Sequence, residues 1–217
     1  MAKPVRLLSV GALTLDTILR VETLPTHQGK FIAADGVQIA SGMATSAACA
    51  AHRLGAEVSL WASAGDDLIG DQLIAGIEAE GVDCGYVRRV GGARSALASI
   101  LVDAHGERII VPFYDSLAQA DPEALPFADI TAFDAVLVDV RWPGAAAIAL
   151  KAARAAGRPA ILDADTAPLA VLEQLLPLAS HIVASEPAVR IICGQALDLA
   201  SACTDICLLY TSDAADE

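Results

Sequence analysis

Residues 133–165, "FDAVLVDVRWPGAAAIALKAARAAGRPAILDAD", decide the fold. The stretch opens with "AVLVDV", apolar but for one aspartate, and passes through an Ala-rich segment of helix length closed by Gly157. It then returns to a second apolar run, "PAILDAD". Strands that are apolar throughout, instead of alternating, are buried on both faces, and a helix between two of them is the crossover that parallel pairing requires. Both runs end in charge: Asp139 and Arg141 after the first, Asp163 and Asp165 at the second.

The same rhythm continues in both directions. Downstream come a helix in "LAVLEQLLPLA" (169–179), a strand in "HIVASE" (181–186) and a helix start in "PAVRIICG" (187–194). Upstream, "RLLSVGALTLD" (6–16) reads as one buried strand ending in polar residues. "MATSAACAAHRLGA" (43–56) reads as a helix with Ser41 as cap candidate and Gly55 as stop. "EVSLWASAG" (57–65) is a strand, and Asp66-Asp67 then start the helix "LIGDQLIAGIEAEG" (68–81), with capping as their role. The expected architecture is α/β, a doubly wound, mostly parallel sheet. Two β-rich stretches, about 17–41 and 95–114, break the rhythm, with turns expected at His27-Gln28-Gly29, Asp35-Gly36 and His105-Gly106. They read as a small β lid on the edge of the main sheet.

Bulk properties narrow the function. The 217 residues are 55% hydrophobic and 19% charged, enough for one large cored domain. A net charge of −13 argues against a nucleic-acid surface, which needs clustered Lys and Arg. No apolar run reaches the roughly 18 residues of a membrane span, and "MAKPVRLLSVG" reads as a first strand, not a signal peptide. Five cysteines without a C-x-x-C pair suggest neither zinc nor a disulfide framework, so reduced thiols in a cytoplasmic protein are expected.

In an open parallel sheet the ligand lies beyond the carboxyl ends of the strands, so the polar residues there are the site candidates. Asp16, where the chain leaves for the β-rich segment, suits the binding of substrate hydroxyls and is also a turn-former. Ser41-Gly42 offers either close backbone approach to a ligand at a helix N-terminus or a plain cap. Arg141, after an apolar strand, needs an anionic partner: Asp139, Asp163, Asp165 or a negatively charged substrate group held bidentately. Lys30 is either a solvated lysine or a second cation above the same ligand. Ser185-Glu186 ends the last strand. There is no G-x-G-x-x-G after the first strand, no Walker A, no H-E-x-x-H and no G-x-S-x-G, which weakens the dehydrogenase, P-loop, zinc-protease and α/β-hydrolase readings.

The ordered series "VGALTLDTI", "SGMATSAACAAHRLGAEVSLWASAGDDLIGDQLIAGIEAEGVD" and "GERII", from about Val5 to about Gly194, resembles the ribokinase-like (PfkB) family of carbohydrate kinases. The resemblance implies a doubly wound domain with a β lid over the sugar, and transfer of the ATP γ-phosphoryl group, with Mg²⁺, to a sugar hydroxyl. It implies Asp16 on sugar hydroxyls, Ser41-Gly42 at the paired-glycine hinge, and Ser185-Glu186 at the nucleotide and metal side, where the family has N-x-x-E. Within the family, "VDVRW", "GKF" and "ASEP" are most similar to sulfofructose kinases, which implies a ketose bearing a sulfonate near Lys30 and Arg141. Ser41, Ser46 and Pro112 stand where related kinases carry glycine, asparagine and asparagine. Ribokinase, fructokinase and 2-keto-3-deoxygluconate kinase activities, or a non-catalytic sugar-binding role, are the alternatives. An exposed lid edge makes a homodimer through the lid the expected assembly.

The family's catalytic aspartate lies in a later G-A-G-D element, which this sequence lacks. The ending "CLLYTSDAADE" (207–217) resembles a translated sequencing-library adapter. The expectation is therefore that residues 1–206 are the N-terminal part of a single ribokinase-like domain, that 207–217 are a non-native tail, and that the 217-residue chain is a catalytically inactive fragment of its parent enzyme.

Overall fold

The computed structural model describes residues 3–126, 128–194, 201, 202, 204 and 206; the adapter-like ending, 207–217, lies outside them. In chain order the elements are β1 (Arg6–Gly11), β2 (Thr14–Arg20), β3 (Asp35–Ser41), α1 (Met43–Arg53), β4 (Glu57–Gly65), α2 (Leu68–Ala79), β5 (Arg88–Val90), β6 (Ala96–Val102) and β7 (Arg108–Phe113). They continue with β8 (Ala135–Asp139), α3 (Pro143–Ala155), β9 (Ala160–Ala164), α4 (Leu169–Leu175), β10 (His181–Ala184) and α5 (Glu186–Cys193).

Six strands pair in the order β10-β9-β8-β1-β4-β5, and every pairing is parallel. This is the mostly parallel α/β sheet that the apolar runs predict. Helices α1 and α2 cover one face through Ala44, Ala48, Leu73 and Ile77, packed with Val58 and Leu60. Helices α3 and α4 cover the other through Ala146, Leu150, Leu172 and Leu175 against Leu8, Val136 and Leu162. Each fully buried leucine contributes about 1.5–3 kcal/mol. From β1 the strand order runs one way to β4 and β5, and the other way to β8, β9 and β10. The reversal between β1 and β8 opens a crevice at the carboxyl edge.

The second sheet has the order β3-β2-β6-β7, with β2 and β6 parallel and the outer pairs antiparallel. Its first strand corrects one reading. "RLLSVGALTLD" is two strands in two sheets: β1 stops at Gly11, and β2 starts at Thr14. Gly11 has φ +146, and a Cβ there would fall 2.2 Å from Asp139 Oδ1. Leu8 and Val10 fill one core and Leu13 and Leu15 the other, so hydrophobicity runs unbroken through the change of sheet. Asp35-Gly36 is likewise not a turn but the start of β3. The loop before it is long, and β3 pairs back to Arg20 across it. The turn at His105-Gly106 is present, with Gly106 at φ +84 and Asp103 accepting from the N–H groups of His105 and Glu107.

"GDDLIG" is the joint between the two sheets. Asp67 caps α2 by accepting from Gly70 N–H at 2.8 Å, and it also accepts from Ser95 N–H (2.9 Å) and Ser95 Oγ–H (2.6 Å) at the foot of β6. Both glycines allow backbone contact: a Cβ on Gly65 would lie 2.4 Å from Ala93 O, and one on Gly70 2.4 Å from Gly65 O. Helix α4 ends early, at Leu175, because Pro177 forces a 3₁₀ turn over Leu176–Leu178.

Candidate active site

Gly42, at φ +124, is the N-cap of α1 and makes no side-chain cap; Ser41, the expected cap, is instead the last residue of β3. The reason is steric. A Cβ at Gly42 would lie 2.3 Å from Ala12 O, so this junction packs backbone against backbone and leaves the cap position to glycine. The orphan donor of the first turn is met from across the sheet. Asp139, at the end of β8 and fully buried, accepts Ala44 N–H (2.9 Å) and Ala12 N–H (2.8 Å) on Oδ2 and Arg141 N–H (2.8 Å) on Oδ1. Burial pushes this carboxyl above its ordinary range, while the three N–H donors and the Arg141 charge pull the other way. Thr45 Oγ1 donates to Ala12 O at 2.6 Å and completes the knot.

Above this knot a cleft of about 550 Å³ opens between the second sheet and the carboxyl edge of the main sheet. It brings together Asp16, Ser41, Gly42 and Arg141. Asp16, 8% exposed, accepts from Thr14 Oγ1 at 2.7 Å. Among the described residues Arg141 finds one of its three candidate carboxylates, Asp165, at 3.2 Å, and it also donates to Thr166 O at 2.7 Å. Asp139 meets the Arg141 backbone and not its guanidinium.

Two groups lie apart from the cleft walls. Lys30 is exposed on the 21–34 connection. Ser185 caps α5 by accepting from Ala188 N–H, and it donates to Asp165 Oδ1 at 2.9 Å. Glu186, next to it, pairs with Arg190 one turn on. Both therefore have partners within the chain, and no group of three His, Cys, Asp or Glu side chains able to hold a metal ion occurs among the described residues.

Sequence reasoning missed Tyr114 and Arg108, which line the cleft. Burial pushes the Tyr114 phenol upward, although Arg141 lies beside it, so the hydroxyl stays protonated and able to donate. The signal was present in "RIIVPFY": β7 ends at Phe113, and Tyr114 is the first residue past the strand.

The comparisons with known proteins bear on the fold and the family. The family model for pfkB family carbohydrate kinases matches residues 5–207. The chain belongs to that family. It is 33% identical over 154 residues to an ATP-dependent ribose-1-phosphate kinase of Halopiger xanaduensis, a match covering 70% of this chain and 52% of the relative. The chain thus spans about half the length of that curated relative. Among solved structures, a protein from Agrobacterium tumefaciens assigned as a ribokinase matches with a TM-score of 0.91 and 45% identity, over 96% of this chain and 68% of that one. Arabidopsis thaliana ribokinase, solved with ribose and ATP, matches in fold with a TM-score of 0.74 at 21% identity, over 96% and 70%. No helix among the described residues is long and apolar enough to cross a membrane.

Proposed function

We propose that this chain is the sugar-binding part of an ATP-dependent sugar kinase, with the sugar in the cleft between the two sheets. The observation that carries the reading is the convergence of Asp16, Gly42 and Arg141 on one cleft at the strand-order reversal of a pfkB-family chain. Asp16 accepts from sugar hydroxyls, and Gly42 lets the α1 N-terminus approach the ring without a side chain between. Arg141, braced by Asp165 and Thr166, is a preorganised donor for an anionic substituent.

The substrate we favour is a ketose with such a substituent, 6-deoxy-6-sulfofructose, with Lys30 reaching the sulfonate from the lid. A relative named for ribose 1-phosphate supports an anionic sugar as a class. Ribokinase, fructokinase or 2-keto-3-deoxygluconate kinase activity, and non-catalytic sugar binding, are the competing readings.

ATP is the proposed phosphoryl donor, with Ser185 and Glu186 on its side of the cleft; Mg²⁺ would neutralise charge on its phosphates. No step is assigned to a protein-held metal. The general base of phosphoryl transfer is proposed to lie in a G-A-G-D element outside this sequence. We further propose that residues 207–217 are non-native, that the chain pairs through its second sheet, and that it is cytoplasmic.

Calorimetric titration of the 217-residue chain with D-fructose, D-ribose and 6-deoxy-6-sulfofructose tests the reading, beside an ADP-release assay with ATP and Mg²⁺. The expected result is binding, tightest for the sulfosugar and weakened at least about tenfold in Asp16→Asn, where a charged hydrogen-bond acceptor is lost, with no ADP released. Failure to bind any of the three sugars rejects the proposal. ADP release dependent on sugar rejects the claim that this chain is inactive.

A further inference from the structure

Three aspartates line the cleft, and two already accept hydrogen bonds from within the chain. Asp16 holds the Thr14 hydroxyl, and Asp165 holds Arg141 and the Ser185 hydroxyl. Asp163 lines the same cleft and has neither a hydrogen bond nor an ion pair among the described residues. Its position in β9 explains where it points. Asp163 is in register with Asp139 of β8, so both carboxylates leave the sheet on the same face. Asp139 spends its oxygens on three N–H groups; Asp163, one strand further from β1, opens onto the cleft. Its neighbours Leu162 and Ala164 are fully buried, so the backbone is fixed and the side chain has no other direction to take.

The Asp163 carboxyl is half-buried and pushed upward, by burial first and then by the adjacent Asp165, opposed by Arg141. Asp163 is not among the sealed unpaired polar groups: its carboxylate opens onto the cleft, where an entering ligand can supply the donor that no side chain among the described residues provides. We infer that Asp163 is a specificity-determining residue whose carboxylate accepts a hydrogen bond from a hydroxyl of the bound sugar. The inference rests on the sugar-kinase reading of the cleft and adds a contact that Asp16 does not make.

The test uses the 217-residue chain and its Asp163→Ala and Asp163→Asn variants. Whichever of D-fructose, D-ribose and 6-deoxy-6-sulfofructose binds tightest is titrated, together with its monodeoxy analogues. Removing a hydrogen bond to a charged acceptor is expected to weaken binding by roughly ten- to a hundredfold in Asp163→Ala. One monodeoxy analogue is expected to bind wild type and Asp163→Ala equally, which identifies the hydroxyl. Asp163→Asn is expected to melt no lower than wild type, because an unpaired carboxylate has been removed; a structural role predicts a lower melt.

If wild type binds no sugar, the reading of the cleft falls and this inference with it. If wild type binds sugar and Asp163→Ala matches it for the parent sugar and every analogue, the inference alone is overturned. A clear loss of melting temperature in Asp163→Asn also overturns it.

Discussion

At Gly42 the backbone turns from β3 into α1 in a conformation that L-residues avoid, and an added Cβ would also meet Leu13 N at 3.1 Å. Strain and overlap act together, so Gly42→Ala is expected to cost roughly 3 kcal/mol. For a chain of this size that is a fall of about 6–12 °C in melting temperature, measurable by calorimetry. A drop within 2 °C, where the smallest of these effects would still show, would mean the junction yields instead of straining. "ASGMATS" made this glycine legible as a point of close backbone approach. What it approaches was not legible, because Ala12 is thirty residues away and belongs to a crossing between sheets that apolar patterning does not mark. Asp139 was visible as a strand-end carboxylate, but its role was hidden for a related reason: its partners are backbone N–H groups, among them those of Ala12 and Ala44, and backbone groups leave no trace in a sequence. Arg141 was visible as a cation in need of a partner, and choosing Asp165 over its rivals required the register of β8 with β9, which sets Asp139 opposite Asp163 and so Arg141 near Asp165.

The joint at "GDDLIG" carries the element-scale prediction. Asp67 serves its own helix and the foot of β6 at once, and Ser95 is 1% exposed. Asp67→Ala therefore loses a cap, worth about 1 kcal/mol, and strands two buried Ser95 donors, so a loss of roughly 2–4 kcal/mol is expected. The carboxyl also has a pH signature. Desolvation raises it, but the Ser95 hydroxyl, the Ser95 and Gly70 N–H groups and Arg89 outweigh that and hold it below its ordinary value. Its contribution is therefore complete above the unfolded value of about 3.9 and is lost as pH falls through the lower folded value. The gap in melting temperature between wild type and Asp67→Asn should stay constant from pH 6 down to about pH 4 and shrink only as pH falls further. A gap that widens in acid would refute the assignment. The capping role of "DD" could be read from the sequence because caps are local; the bond to Ser95, twenty-eight residues on, could not.

Over the whole molecule, the repeating strand-helix rhythm was enough to predict the parallel sheet, since its inner strands β4 and β8 are largely buried and read as apolar runs; the edge strand β5, Arg88–Val90, is short and basic and left no such mark. The second sheet has two free edges, β3 and β7, and shows Val37, Ile39 and Val111 at 50%, 42% and 62% exposure. Unpaired edges with apolar side chains invite pairing with another copy. The proposed dimer predicts a sedimentation mass of about twice 22.3 kDa and its conversion to monomer by Val37→Lys, the lysine being a charge that edge strands use against association. A wild-type monomer at micromolar concentration would remove the dimer from the proposal. The Asp139 knot also has a consequence for the order in which the molecule comes into being. Its bonds join residues 127 and 95 positions apart. During synthesis, β1, the whole of the second sheet and α1 leave the ribosome well before β8 does. The crossing at Ala12 and the start of α1 must wait, without their acceptor, until residue 139 emerges. Contacts of such long range form slowly, so the cleft is among the last features of the nascent chain to take shape.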